Sequence, residues 1–501
     1  MKLSRYNLTT ISSKSVTLPS ADVFNLPERV LQFGTGVLLR GLPDYFIDKA
    51  NRQGIFNGRI VVVKSTEGST DDFDQQDSLY TLCIRGIENG EKIEQTIVNS
   101  AISRVIQASN RWPDILAFAA SDSLDIIISN TTEVGIQLTD DDINANPPVS
   151  YPGKLLAVLY HRYMAFDGAA DKGLVIIPTE LILDNGTKLN EIVLKLAERN
   201  KLPEDFISWL QEHNHFCNSL VDRIVPGKPS VEMQGDLAET LGYTDKLLSM
   251  SEVYRLWAIE GDERIKERLS FAAVDPGVII APNIELYREL KLRLLNGTHT
   301  LSCGIAFLAG IETVKLAMDD GAMEAYIAKL MKSEIAPAIP FAIEGDVAEE
   351  FSNKVLDRFR NPYIQHQWIS ITLNYTSKLA MRVVPVLINY IQKSNTVPDL
   401  IALGFAAYIC FMKGTEKDGK YYGTLDGKPY VLNDDKAAHL ASLWKSNGEE
   451  NVVVAVLRDR SLWDTDLSSL PDFAEQVNGY FIKIQNSSMR KVLEEVLQKE
   501  V

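Results

Sequence analysis

A lysine, an asparagine and a histidine fall within the nine-residue run Lys291-Leu292-Arg293-Leu294-Leu295-Asn296-Gly297-Thr298-His299. An amine that exchanges a proton, beside groups that hydrogen-bond a polarised oxygen, is what carbonyl–alcohol interconversion needs when no metal takes part. The same types also make a solvated lysine next to a capped turn and a satisfied core histidine, so the run has to be weighed with what surrounds it. In a continuous α-helix Asn296 and His299, three apart, share a face, while Lys291 sits roughly 12 Å from His299 along the axis.

The elements that must position such a site begin far upstream. Arg29-Val30-Leu31-Gln32-Phe33 reads as a short buried strand, Gly34-Thr35-Gly36 as a turn, and Val37 to Asn51 as a helix with apolar Leu38, Leu39, Tyr45, Phe46 and Ile47. The β-branched run Arg59 to Lys64 is a strand buried on both faces. Strand, glycine turn, helix, strand is a βαβ unit and predicts a parallel sheet. Gly34-x-Gly36 is the first part of a dinucleotide fingerprint, in which glycines let the backbone approach a pyrophosphate at a helix N-terminus. The third glycine is missing, with Leu39 near its place. With a dinucleotide present, the chemistry becomes hydride transfer.

Three further segments sit where ligands meet such sheets. After the second strand an acid is expected for the ribose of NAD, but the chain has Lys64-Ser65-Thr66-Glu67. Lys64 either faces a 2′-phosphate or ends a strand in water, and Glu67 could serve the ribose hydroxyls. Asn130-Thr131-Thr132-Glu133 follows the strand Leu124 to Ser129, and reads either as a wall of the nicotinamide half or as a polar helix cap. Asp184-Asn185-Gly186 is either an ordinary turn or a way of aiming Asn185 at a cleft.

The organisation predicted is an α/β N-terminal domain over 1–280 and a mainly α-helical domain over 281–501. Asn89-Gly90 closes a hairpin between Leu79–Arg85 and Ile93–Val98, expected as an antiparallel insertion in the sheet. Helices are predicted over Thr300–Met318, Met323–Ile335, Ala348–Arg358, Ser377–Ile391 and Asp399–Lys413, with an exposed loop over Gly414–Asp435. Two such domains place a cleft between them, where ligands commonly bind.

Composition bounds the partners. A chain of 501 residues is long enough for two domains, and its net charge of −16 argues against nucleic acid or an anionic membrane surface. An acidic enzyme with an anionic small-molecule substrate must concentrate its cations locally. Cys83, Cys217, Cys303 and Cys410 show no metal-ligand or disulfide spacing, the start lacks the apolar core of a signal peptide, and no apolar run reaches membrane-spanning length, so a cytoplasmic enzyme without a metal site is expected.

Lys291, Asn296 and His299 stand as Lys-x4-Asn-x2-His, and with the glycine turn the chain resembles the mannitol dehydrogenase family of polyol-specific long-chain dehydrogenases over nearly its whole length. The stretches Ile128–Glu133, Val149–Lys154, Ser219–Val225 and Arg358–Ile364 narrow the resemblance to members that handle a sugar acid. The resemblance implies a Rossmann-type domain followed by a helical one, NAD as cofactor, a ketouronate/aldonate pair as substrate, and a monomer or small homo-oligomer. It implies Lys291 as general acid/base, Asn296 and Asn185 as the pair that stabilises the alkoxide, and His299 as a substrate-orienting group. Phe33, Gly34, Thr35, Gly36, Lys64, Asn130 and Thr131 would line the cofactor. Ser370 stands where a substrate-contacting arginine is expected, which leaves Lys378, Arg360 or Arg223 for a substrate carboxylate. Competing readings are the same reaction on an epimeric ketouronate, a mannitol- or arabinitol-type dehydrogenase on a neutral polyol, and a non-catalytic dinucleotide-sensing or scaffold protein.

Overall fold

Strand periodicity divides the first core in two. In the computed structural model, which describes residues 1–11, 14, 16–131 and 135–498, the chain runs through β1 (Glu28–Phe33), β2 (Arg59–Lys64), β3 (Tyr80–Glu88), β4 (Glu91–Asn99), β5 (Ile102–Gln107), β6 (Ile126–Ser129), β7 (Val175–Pro178) and β8 (His215–Phe216). Six of these form one parallel sheet in the order β5-β2-β1-β6-β7-β8. Alternate side chains point to opposite faces. Val30, Ile60, Val62, Ile126, Ile128, Val175 and Ile177 therefore enter one core, with Leu42, Phe46 and Trp257. Leu31, Phe33, Val61, Val63, Ile127 and Ile176 enter the other, beneath the helices Tyr151–Ala165, Asn185–Arg199 and Glu204–His213. Burial on both faces is why these strands read as unbroken apolar runs.

The predicted Rossmann-type sheet is present, with local differences. The helix expected over 37–51 is two, Val37–Gly41 and Pro43–Asn51, broken at Leu42 (φ −130°, ψ −80°). The residue before a proline is pushed out of the helical region. The Asn89-Gly90 hairpin is not inserted in the main sheet; β3 and β4 join β10 (Ser249–Glu252) in a separate sheet of order β10-β3-β4. A third sheet, β12-β11-β9, combines β9 (Ser219–Asp222), β11 (Leu256–Glu260) and β12 (Val278–Ala281).

The chain folds as two units, Met1–Arg85 with Lys92–Ile284, and Gly86–Glu91 with Glu285–Val501. The second is helical. Its central helix, Asp399–Phe411, is buried nearly all round and packs against Thr298–Leu308 and Phe473–Asn486, as expected of a helix that is apolar on every face. The helix predicted over 300–318 ends at Leu308, and a second begins at Val314 after Gly310 takes φ +77°. The helix predicted over 377–391 divides into Tyr375–Arg382 and Val384–Ser394, with Pro385 in the first turn of the latter. Met323–Ile335 is α-helical to Lys329 and a π-helix from Leu330. Gly414–Asp435 is not a loop but a three-stranded antiparallel sheet of β13 (Thr415–Lys417), β14 (Lys420–Leu425) and β15 (Lys428–Val431). Among the described residues no helix is long and apolar enough to cross a membrane.

Candidate active site

In the first unit the strand order reverses beside β1. From β1 the sheet grows outward to β2 and β5 on one side and to β6, β7 and β8 on the other. The carboxyl ends of β1 and β6 flank that switch point, where open α/β sheets bind ligands. Gly34 and Asn130 are the residues that follow those two ends. Gly34 has φ +129°, and a Cβ there would lie 2.9 Å from Leu39 Cδ1 and 3.1 Å from the Asn130 carbonyl oxygen, so only glycine fits. Gly36 precedes the short helix Val37–Gly41, and a Cβ on it would meet nothing within 4 Å. Thr35, between them, is partly exposed. An exposed glycine backbone at a switch point fits the approach of a dinucleotide pyrophosphate.

Hydrogen bonds lace the neighbouring strand ends together. Asn130 donates its backbone N–H to Phe33 O (3.1 Å) and its Nδ2 to Thr179 O (3.1 Å). Thr131 donates its backbone N–H (2.8 Å) and its hydroxyl (3.0 Å) to one oxygen of Glu180, whose other oxygen accepts from Ser129 Oγ (3.2 Å). Burial pushes the Glu180 carboxyl above its ordinary value despite these donors. Glu180 was not singled out from the sequence; its place just beyond the carboxyl end of a buried strand is the signal that could have found it. The helix-cap alternative for Asn130–Glu133 turns on Thr132 and Glu133, which lie outside the described residues.

Three residues expected at the site have partners within the protein. Phe33 is a core residue, its ring 5.1 Å from Tyr151 and its carbonyl accepting from Asn130. Lys64 folds over its own turn, Nζ donating to Thr66 O (3.0 Å), Thr66 Oγ1 (3.0 Å) and Glu67 O (2.6 Å), so all three ammonium hydrogens are committed. Asn185 is 1% exposed. Its Nδ2 donates to Pro178 O, Glu180 O and Ser219 O at 3.0–3.1 Å, and its Oδ1 accepts from Gly186 N and Ser219 N, both at 2.9 Å. Its two amide hydrogens are thus shared among three backbone carbonyl oxygens. Arg223, one candidate for the carboxylate, is likewise internal, bonded to Glu252 O and Gly41 O and stacked on Tyr45.

In the second unit the lysine-to-histidine run does not start a helix; it lies in the middle of one. Glu285–Leu290 is α-helical, Lys291–Gly297 is a π-helix, and Thr298–Leu308 is α-helical again. A π-helix closes its hydrogen bonds between residues five apart and recurs at functional sites. That turn returns Asn296, five residues on, to the face of Lys291, while the α-turn that follows keeps His299 on the face of Asn296. The separation expected for a plain α-helix is thereby reduced. Asn296 accepts at its backbone carbonyl from Thr300 Oγ1 (2.7 Å), and its carboxamide hydrogen-bonds no described residue.

His299 is held by rings. Phe359 stacks on it at 4.1 Å between centroids, and His366 and Trp368 meet it edge-on at 5.3 and 5.9 Å. Its Nε2 is buried without a hydrogen-bond partner, as are Thr298 Oγ1, Ser302 Oγ, Trp368 Nε1 and Arg382 Nε. Burial holds the imidazole well below its ordinary pKa, and His366, Arg358, Arg382 and Lys378 push it the same way. His299 is therefore neutral near pH 7, a hydrogen-bonding group and not a proton source.

The cations differ in their commitments. Arg360 pairs with Glu324 (2.7 Å) and Asp357 (3.4 Å). Lys378 donates to Ile371 O (3.0 Å), and burial followed by Arg382 lowers its pKa. Ser370 is exposed on the short helix Trp368–Ile371. Arg382, His366 and Phe359 were missed from the sequence, although His366 and Phe359 stand within or beside the stretch 358–364 that carries the resemblance. Among the described residues no group of three or more His, Cys, Asp or Glu is placed to hold a metal ion.

Residues 28–272 match the family model described as mannitol dehydrogenase Rossmann domain, and residues 283–485 match that of the mannitol dehydrogenase C-terminal domain. The chain is 37% identical over 486 residues to the altronate oxidoreductase of Halalkalibacterium halodurans, covering 95% of this chain and 94% of that protein. It is 38% identical to the altronate oxidoreductase of Bacillus subtilis, covering 94% and 95%. Among solved structures it is similar to the mannitol 2-dehydrogenase of Pseudomonas fluorescens in ternary complex with NAD and D-mannitol (TM-score 0.67, 22% identity, all of both chains). A substrate-free D-sorbitol dehydrogenase gives a TM-score of 0.77 at 19% identity, over 98% of this chain and 100% of that one.

Proposed function

Because this chain belongs to the mannitol dehydrogenase family and is an NAD-dependent oxidoreductase, we propose that it reduces the ketone of D-tagaturonate to the alcohol of D-altronate, and oxidises D-altronate in the reverse direction. The substrate reading is supported by relatives named altronate oxidoreductase that align along nearly the whole chain. The chemistry is supported by the π-helix over Lys291–Gly297, whose wider turn brings the position of Asn296 toward the face of Lys291.

Gly34 and Gly36 would receive the pyrophosphate, and Asn130 and Thr131 would border the nicotinamide. When bound, NAD(H) supplies or accepts the hydride. The chain's own residues manage the oxygen. Lys291 Nζ delivers a proton to the alkoxide oxygen in reduction and takes it back in oxidation. The free Asn296 carboxamide donates to that oxygen and favours the alkoxide over the ketone, which is stronger binding of the transition state than of the ground state. Neutral His299 orients a neighbouring hydroxyl. The proton route runs through an amine, so the proposal needs no metal.

The test is loss of NADH absorbance with the purified protein and D-tagaturonate, D-fructuronate or D-fructose, with NADPH in parallel. Preference for D-tagaturonate with NADH is expected. Preference for D-fructuronate or D-fructose would replace the substrate while keeping the reaction, and no oxidation with any of them would favour a dinucleotide sensor.

A further inference from the structure

Resting on the ketouronate reading above, we propose that Arg382 holds the carboxylate of the substrate, with Lys378 as a second cation. The position of Arg382 is fixed from behind. Pro385 has no N–H to give the carbonyl of Met381, four residues earlier, so the helix Tyr375–Arg382 ends there with that carbonyl unused by the helix. Arg293, inside the π-helix and held by Glu289 (2.9 and 3.3 Å), donates to Met381 O (2.6 Å) and Arg382 O (3.0 Å). The backbone of Arg382 is thus tied to the segment that carries Lys291 and Asn296.

Its side chain turns the same way. Arg382 Nη1 donates to Thr300 Oγ1 (3.1 Å), and that hydroxyl donates to the carbonyl of Asn296 (2.7 Å). Asn296 and Thr300 lie about one helical turn apart, roughly 5–6 Å between Cβ atoms, a span of the order of a six-carbon sugar acid. A group that engages the reacting oxygen and a group that engages the acid end are both needed at that separation.

The charge of Arg382 is uncompensated among the described residues. Arg293 has Glu289, and Arg360 has Glu324 and Asp357. Arg382 has a neutral hydroxyl, its Nε is buried without a partner, and no carboxylate bears on it. Partly burying a guanidinium without a counter-ion is costly, and a planar fork with free N–H groups matches a carboxylate. Burial lowers both Arg382 and Lys378 from their ordinary values. In a chain of net charge −16, cations from Lys378, Arg382 and Arg358 nevertheless converge on His299. The exposed Ser370 supplies none of that charge.

Steady-state kinetics at saturating NADH on wild type, R382Q, R382K and T300V, with D-tagaturonate and D-fructose, test this. R382Q is expected to raise KM for D-tagaturonate about thirtyfold with a much smaller change in kcat, and to lower the preference for D-tagaturonate over D-fructose at least tenfold. R382K should recover part of the preference, having charge but no fork. Equal losses on both sugars would make Arg382 structural and overturn the proposal. If wild type reduced D-fructose but not D-tagaturonate, the ketouronate reading itself would fall. NADH binding and the melting temperature report folding. Should R382Q not fold, T300V decides in the same way, through a KM rise of a few-fold confined to the acid.

Discussion

The imidazole of His299 lies on the ring of Phe359, 4.1 Å between centroids and 14° from parallel. Stacking shields one face, the edges of His366 and Trp368 crowd the rest, and the cations beyond add to the penalty on a charged imidazole. The proton of the reaction has to come from elsewhere, which in the proposed scheme is Lys291.

This depressed pKa has a consequence for stability. The unfolded histidine titrates near 6.5, and His299, His366 and His215 are all lowered in the fold, burial being the first cause for each. The unfolded chain then binds protons that the folded chain does not. Stability from these groups is present above about pH 6.5 and is lost as pH falls through the folded values. Asp44, raised by burial to about 8, acts in the opposite sense. His299→Gln should therefore melt less steeply with acid than wild type between about pH 6.5 and 5; thermal midpoints across that range with the same slope for both proteins would refute it.

Asn296 and Asn185, paired by resemblance, should behave differently. Asn296→Ala should lower kcat by about 10²–10³-fold at unchanged melting temperature and NADH affinity. Asn185→Ala breaks bonds to the backbone of Pro178, Glu180 and Ser219, and should lower the melting temperature by several degrees, since each buried group left unpaired costs about 1–3 kcal/mol. Calorimetry and kinetics on the two variants separate the roles. A stable Asn185→Ala protein with kcat reduced as far as Asn296→Ala would restore the paired assignment.

Lys291→Ala should remove turnover in both directions while NADH still quenches protein fluorescence with a near-normal dissociation constant. Loss of NADH binding in step with turnover would mean that Lys291 supports the fold and not the proton transfer.

The two glycines of the turn should also part company. Gly34→Ala meets Leu39 and the Asn130 carbonyl at φ +129°, so both the melting temperature and NADH affinity should fall. Gly36→Ala meets no protein atom, and should keep its melting temperature while weakening NADH about tenfold or more, because its side would be the one that faces the pyrophosphate. Titration calorimetry that finds unchanged NADH affinity in Gly36→Ala would move the cofactor away from this turn.

The sequence made the parallel sheet legible because Arg59–Lys64 and its neighbours are buried on both faces, and such strands leave an unbroken apolar signature. It concealed β13, β14 and β15 because they are short and largely exposed. Their signal was nonetheless present in the two-residue turns Asp418-Gly419 and Asp426-Gly427, all four residues at positive φ. Lys291, Asn296 and His299 were visible as types at a spacing, but the π-helix that aligns them was not, since no residue type marks it. The committed partners of Asn185 and Lys64 were equally invisible: a side chain's availability depends on backbone groups that only folding brings to it.

A π segment inside an otherwise regular helix amounts to one residue too many for its turns. Deleting any one of Leu292 to Leu295 would let the ladder from Glu285 to Leu308 close as an ordinary α-helix. Asn296 would then stand four residues after Lys291 in an α-helix, about 40° away around the axis, so the face the two share would survive the loss. The smoother helix would be the easier one to fold. The damaging change is the other one: were the stretch to wind as α-helix with no residue lost, Asn296 would lie about 140° around the axis from Lys291, so it tolerates a lost letter better than a lost π turn.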